Sequence, residues 1–379
     1  MSLTRTLLVL VLAALASACT HHVLGQPIAE HRFHASPADF DAPKDVAVLH
    51  YYGVGGWGIR WKDTYVLAAP YFSNHDLLGS SIQEARRSDA AIRDGFAGTP
   101  YAQTDVILVG HGHIDHASDI PGYPFDEMRG KPTLIADEST IHLLGDTTRA
   151  HVCPVPLGPD GGDAPVRQDG KCPTGDVRIR PVPWAHAPHG QLSDLVFLTV
   201  GDPQGFQRED LPEPPGQGKD WLIGRTWAFL IELMERGRPV FRIHYVDAAA
   251  NPLLTDDGGD PQPVDVHIGC IPGFDSVQHY PKELLQRFDV GYVLGGHWEN
   301  FFQSRDDALE PVPFVLGEEE MGRFVLEVES VLGTDPAGRG PINKDGCTVG
   351  ENCGPHGARW TVPIPGETFW FRTSRSPTR

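Results

Sequence analysis

Asp105-Val106-Ile107-Leu108-Val109-Gly110-His111-Gly112-His113-Ile114-Asp115-His116 carries the densest chemical signal in the chain. Val106 to Val109 is a short apolar run closed by a glycine, the form of a strand covered on both faces. His111 and His113 are two apart, so extended backbone sends both imidazoles to one face. Asp115 and His116 follow where the chain turns out of the strand. Neutral imidazoles with a carboxylate form the donor set that borderline divalent metals such as zinc favour. A polar surface turn is the bland alternative, but so dense a His/Asp cluster behind a strand is far more specific than a lone histidine.

Three later stretches end apolar runs with a donor. Val182-Pro183-Trp184-Ala185 leads to His186, with His189 as a rival three residues on; either is otherwise an exposed loop histidine. Val240-Phe241-Arg242-Ile243-His244-Tyr245-Val246 leads to Asp247, a metal-binding carboxylate or a helix cap, with His244 read as strand surface or an outer neighbour of the site. Val293-Leu294-Gly295-Gly296 leads to His297.

The pattern His-x-His-x-Asp-His after an apolar strand resembles the signature of the metallo-β-lactamase superfamily, and the order of the later donors is similar too. The resemblance spans residues 46–372 and implies an α/β fold, a four-layer αβ/βα sandwich. It implies a first metal held by His111, His113 and His186, and a second by Asp115, His116 and His297, with Asp247 bridging them. Val246 stands where the family usually has glycine. Ile271-Pro272-Gly273, Trp298-Glu299-Asn300-Phe301 and the meander over 48–70 are similar to the branch containing ascorbate-phosphate lactonases and N-acyl-phosphatidylethanolamine phospholipase D. That branch usually has an acid before the early proline, where this chain has Ala68-Ala69-Pro70, so an outer partner of the site is expected to be missing.

Around these motifs, β-rich patterning predicts a strand at 46–51, a turn entering a second strand over 53–61, and strands at 64–68, 105–110, 132–136, 177–182, 195–200, 226–233, 240–245 and 265–270. Helices are predicted at 80–95, 138–144 and 281–286. Segments 157–175, 201–220 and 333–357, crowded with Gly, Pro and charge, read as loop insertions in one domain, and 373–379 as a tail. Trp57 and the Trp298 to Phe301 stretch either rim the pocket mouth or belong to the core.

At the start, Arg5, the apolar Leu7 to Leu15 stretch and small residues before Cys19 read as a signal peptide over 1–18. The apolar stretch is short for a membrane span, which needs about 20 residues. Cys19 follows Leu15-Ala16-Ser17-Ala18, which resembles a bacterial lipobox; ordinary cleavage is the alternative, since Ala16 holds the place of the usual large aliphatic residue. Residues 19–45 then read as a lipid-anchored tether, placing the body in the cell envelope or periplasm. In that oxidising setting Cys153 with Cys172, and Cys347 with Cys353, are candidate disulfides, leaving Cys270 as a small core residue.

The net charge of −19 argues against nucleic acid as a partner. The resemblance implies two divalent ions, zinc or else manganese or iron, that turn a shared water into hydroxide at neutral pH, with Asp115 or Asp247 orienting it and accepting a proton. The expected activity is hydrolysis of a phosphodiester, lactone or related ester on a small-molecule or lipid-like substrate. A non-catalytic metal-binding envelope lipoprotein on the same fold is the rival from another class.

Overall fold

The computed structural model describes residues 22–23, 26–27, 42–74, 87–145, 150–155, 174–188, 204–251, 262–312, 317–333, 341 and 358–373. Cys19, Cys172, His189, Cys347, Cys353 and the strand predicted at 195–200 lie outside them. β1 (His22–Val23) and β2 (Gln26–Pro27) form a small antiparallel ribbon.

The body opens with the predicted meander: β3 (Val46–Gly53), β4 (Gly56–Trp61) and β5 (Thr64–Ala68), successively antiparallel. After α1 (Asp89–Phe96), the parallel strands β6 (Thr104–Leu108), β7 (Thr133–Asp137) and β8 (His151–Val155) extend the same sheet. The short helix α2 (Ile114–Ala117) follows β6, and α3 (Glu138–Leu144) follows β7. The last strand, β15 (Thr368–Arg372), closes the other edge beside β3, giving seven strands in the order β15-β3-β4-β5-β6-β7-β8.

A second sheet contains β9 (Val177–Pro183), β10 (Trp227–Glu235), β11 (Arg238–Tyr245), β12 (Val266–Cys270), β13 (Tyr292–Gly296) and β14 (Trp360–Thr361), in the order β14-β13-β12-β11-β10-β9. Arg236 and Gly237, at φ 49° and 75°, form the two-residue turn between β10 and β11, as a hairpin of matching twist requires. Helices α4 (Lys282–Arg287) and α5 (Gly317–Leu332) flank this sheet.

Strand alternation sorts the core into layers. Trp227, Phe229, Ile231 and Leu233 of β10 point between the sheets, meeting Leu49, Trp57, Ile59 and Val66 of the first sheet. Ala228 and Leu230 point outward, into a cluster with Leu284 of α4 and Phe324 and Val328 of α5. On the far side, Ile92 and Phe96 of α1 and Leu143 and Leu144 of α3 cover Leu67, Ile107 and Leu134. The result is the expected four-layer αββα sandwich. Trp57 and Trp298 belong to its core, each 1% exposed.

One expectation is corrected. His244 is not strand surface: Trp184 after β9 and Phe288 after α4 fold over its ring, and burial pushes its pKa down to about 4. The insertion predicted at 201–220 lies at the surface where described, its residues exposed or half-buried except Gly218. It is tied to α3: half-buried Leu211 packs against the cluster there and its N–H donates to His142 O at 3.0 Å, while the Gln207 N–H donates to Ser139 Oγ at 2.7 Å. Cys270 is free and buried, and Cys153 is disulfide-bonded.

His50 on β3 shows the cost of such burial. Its pKa is lowered from 6.5 to about 3 by burial, so between those values the unfolded chain takes up a proton that the folded chain refuses. Stability falls as pH falls through that window, by about 1.4 kcal/mol per pH unit for this residue. In urea melts at about pH 4 and 6, His50→Gln is expected to flatten the pH dependence by that slope. An unchanged slope would show that His50 is already protonated in the folded protein.

Candidate metal centre

All the predicted donors that the structure describes leave the sheets at one edge. Beyond β6 the chain stays extended through His111 and His113, and α2, which starts just after His113, turns Asp115 and His116 back toward them. β9, β11 and β13 run in one direction, so their C-terminal ends lie together. His186 follows the end of β9, Asp247 the end of β11, and His297 the end of β13.

The side chains fall into three overlapping groups whose donor atoms lie within 4.8 Å of one another: His111, His113 and His186; His111, His116 and Asp247; Asp115, His116 and His297. Asp247 sits between the outer groups, its Oδ1 3.1 Å from His111 Nδ1 and its Oδ2 3.8 Å from His116 Nδ1. Gly110 N–H donates to Asp247 Oδ2 at 3.0 Å. Asp115 Oδ2 lies 3.3 Å from His116 Nε2 and 3.1 Å from His297 Nε2. The His186 ring centre is 5.0 Å from that of His111 and 4.9 Å from that of His113.

Protonation states suit a cation. Burial, then the neighbouring His111 and His186, push His113 well below its ordinary pKa, and burial lowers His116 to about 4. For Asp115, burial opposes ionisation, but His116 and His297 hold the carboxyl well below the usual range; His111 and His116 do the same for Asp247 against its burial. Asp115 raises His297 against the effect of its burial. Two buried carboxylates thus stay ionised beside His113 and His116, whose rings are held neutral, an arrangement that a positive charge between them would stabilise. Buried His113 Nε2, His116 Nδ1 and His297 Nδ1 have no hydrogen-bond partner. Unsatisfied buried donors or acceptors cost about 1–3 kcal/mol each, a cost that metal coordination removes. The residues therefore fit divalent metal.

The two sheets, their strand orders and the donors at strand ends settle the architecture. The fold is of the metallo-β-lactamase type. No protein-family model matches the chain, and no curated protein matches its sequence. Among solved structures, the metallo-β-lactamase fold protein YhfI from Bacillus subtilis is 15% identical, with 77% of this chain and 95% of that chain covered and a TM-score of 0.40. Igni18, a metallo hydrolase from the archaeon Ignicoccus hospitalis, is 14% identical over 86% of this chain and 98% of its own, with a TM-score of 0.44. An isothiocyanate hydrolase from Delia radicum gut bacteria is 11% identical over 85% and 98%, with a TM-score of 0.42. Likeness this distant leaves the chemistry to be read from the chain's own residues.

Beside the site stands a buried acid to which the sequence reading gave no role. Glu299 is fully buried, and its Oε2 accepts hydrogen bonds from Tyr51 OH at 2.6 Å and Val54 N–H at 3.3 Å. Tyr51 OH in turn accepts the His297 N–H at 2.8 Å. His297 has φ 64°, a left-handed conformation that costs a non-glycine residue on the order of 1–3 kcal/mol and persists only when its surroundings hold it. Burial raises the Glu299 pKa to about 7. Glu299→Ala is expected to lower metal affinity about 10–100-fold, the usual effect of losing a group that orients a ligand. Competition with a chromophoric chelator measures this; unaltered affinity would leave the Tyr51–Glu299 pair as packing only.

Proposed function

We propose that the chain is a binuclear metal-dependent hydrolase that cleaves a phosphodiester, lactone or related ester. The observation that carries the proposal is the overlap of three His/Asp groups at one buried strand edge, with Asp247 between the outer two. His111, His113 and His186 would hold one divalent ion, Asp115, His116 and His297 the other, and Asp247 would face both. Such ions lower the pKa of water toward ~7 and polarise a substrate oxygen, zinc being the best fit to this donor set and manganese or iron alternatives.

The chain's own groups do the rest. His111 is oriented by Asp247 Oδ1, and Asp247 by the Gly110 N–H. The Asp115 carboxylate, held ionised, can accept a proton from the attacking water at Oδ2 and pass it toward the leaving group. His113 and His116, whose pKa values are held down, supply neutral nitrogen.

The reading extends to location and branch. The basic start, apolar stretch and Cys19 support export and lipid anchoring in a bacterial envelope, with a small-molecule or lipid-like ester as substrate. The stretches 271–273 and 298–301 support kinship with the lactonase and phospholipase D branch. Among the described residues no helix is long and apolar enough to cross a membrane.

The test is metal content and turnover across phosphodiesters, lactones and β-lactams for wild type, Asp115→Ala and His297→Ala. Two ions per chain with activity lost in both variants supports a binuclear hydrolase. No metal and no turnover would favour the non-catalytic binding module.

A further inference from the structure

His186 is the donor with the least sheet around it. Asp247 follows β11, which lies between β10 and β12, and His297 follows β13, which lies between β12 and β14. His186 follows β9, an edge strand whose one neighbour among the described strands is β10. Pro181 and Pro183 carry no N–H, so the last rung that holds the end of β9 is the Trp184 N–H, donating to Thr226 O at 3.1 Å. His186 stands two residues beyond that rung, yet its ring lies against both His111 and His113.

The Trp184 side chain supplies the missing support. Its Nε1–H donates to Ala248 O at 2.9 Å, a buried bond that reaches the residue directly after Asp247. Two strand ends that β10 separates, each carrying a donor of the metal centre, are thereby joined. The indole is itself held edge-on by the rings of His244 and Tyr280, at 5.7 and 6.3 Å between centres. On the other side of His186, Ala187 meets the backbone of Gly273 so closely that a Cβ there would fall 2.9 Å from the Ala187 Cβ. Within this frame the His186 Nδ1–H donates to Ala187 O at 2.9 Å, so the nitrogen left to face a cation is Nε2.

We propose that Trp184 is a positioning residue: its indole N–H, by gripping Ala248 O, fixes the His186 imidazole in place and in tautomer relative to Asp247. The consequence for metal binding rests on the metal-centre reading, whereas the hold on the His186 ring is a property of the chain without metal.

The test compares wild type, Trp184→Phe and a variant with benzothienylalanine at position 184, which keeps the shape of the ring and lacks its N–H. Trp61→Phe is the control, because Trp61 is also buried and its Nε1–H donates to Met234 O at 3.1 Å, at the other end of β10. One readout is histidine-ring NMR of the chelated protein, with His186 assigned through His186→Gln; the other is cobalt(II) affinity by titration calorimetry. Wild type is expected to show one His186 ring species, protonated at Nδ1. Both position-184 variants are expected to average between tautomers and to bind cobalt about tenfold more weakly or worse, the usual size for loss of a group that orients a ligand. Trp61→Phe is expected to lower the melting temperature and move neither readout. The proposal is overturned if both position-184 variants keep the wild-type His186 ring signals, if they keep the cobalt affinity of a wild type that binds it, or if Trp61→Phe alters the readouts as much. A wild type that takes up no cobalt, with the His186 ring still freed in the position-184 variants, would sink the metal reading alone and leave the positioning role standing.

Discussion

Asp247→Ala is expected to release metal from both ends of the cluster and to lower hydrolysis on the order of a thousandfold, since a metal pair contributes several kcal/mol to the transition state. Among the described residues Asp247 is the one carboxylate that approaches both His111 and His116, so its loss leaves both groups short of a donor. Its loss also strips the Gly110 N–H of its acceptor and leaves the His111 Nδ1 unoriented. His297→Ala removes a donor from only one group, and should spare part of the metal held by His111, His113 and His186. Metal content per chain by atomic emission, read beside turnover, separates the two. Asp247→Asn adds a control that keeps shape and removes charge. If Asp247→Ala kept both ions, the carboxylate would be a structural cap on Gly110 and the site would be mononuclear or differently built.

The sequence made some of this centre readable and hid the rest for physical reasons. His111, His113, Asp115 and His116 are local: a strand followed by one helical turn fixes their relative directions within six residues. Asp247 and His297 were legible because each ends an apolar run, and parallel strands bring their C-terminal ends to one edge. Tyr51 and Glu299 are 248 positions apart, and only the packing of one sheet on the other brings them to 2.6 Å. The stretch Trp298 to Phe301 was singled out without a role for Glu299; the signal available was its place two residues after His297, flanked by large apolar side chains. His244 misled because alternation along β11 gives it the face opposite Ile243 and Tyr245, which would be solvent in a two-layer fold and is an interior in a four-layer one. The Gly- and Pro-rich stretch at 201–220 read as surface by composition and lies there where described; what composition does not encode is its attachment to α3 through backbone bonds.

Gly110→Ala should reproduce much of the Asp247→Ala phenotype while removing no ligand at all. A Cβ built on Gly110 would overlap both carboxylate oxygens of Asp247, so the carboxylate must swing away and lose its contacts with His111 and the Gly110 N–H. The backbone itself raises no objection, because Gly110 is not among the residues with positive φ. Such a glycine-to-alanine change would ordinarily stabilise a protein by about 0.4–1 kcal/mol through the unfolded chain. The clash sets the opposite sign here, and the damage is confined to the metal centre. Gly322→Ala is the matched control: it lies inside α5 with nothing within 4 Å of the new Cβ, and should stabilise by up to about 1 kcal/mol with metal content untouched. Metal per chain and melting temperature are the readouts for both. Wild-type metal content in Gly110→Ala would mean that Asp247 can shift and still serve the site, removing the close approach at Gly110 from the account of how the two halves of the centre are held in register.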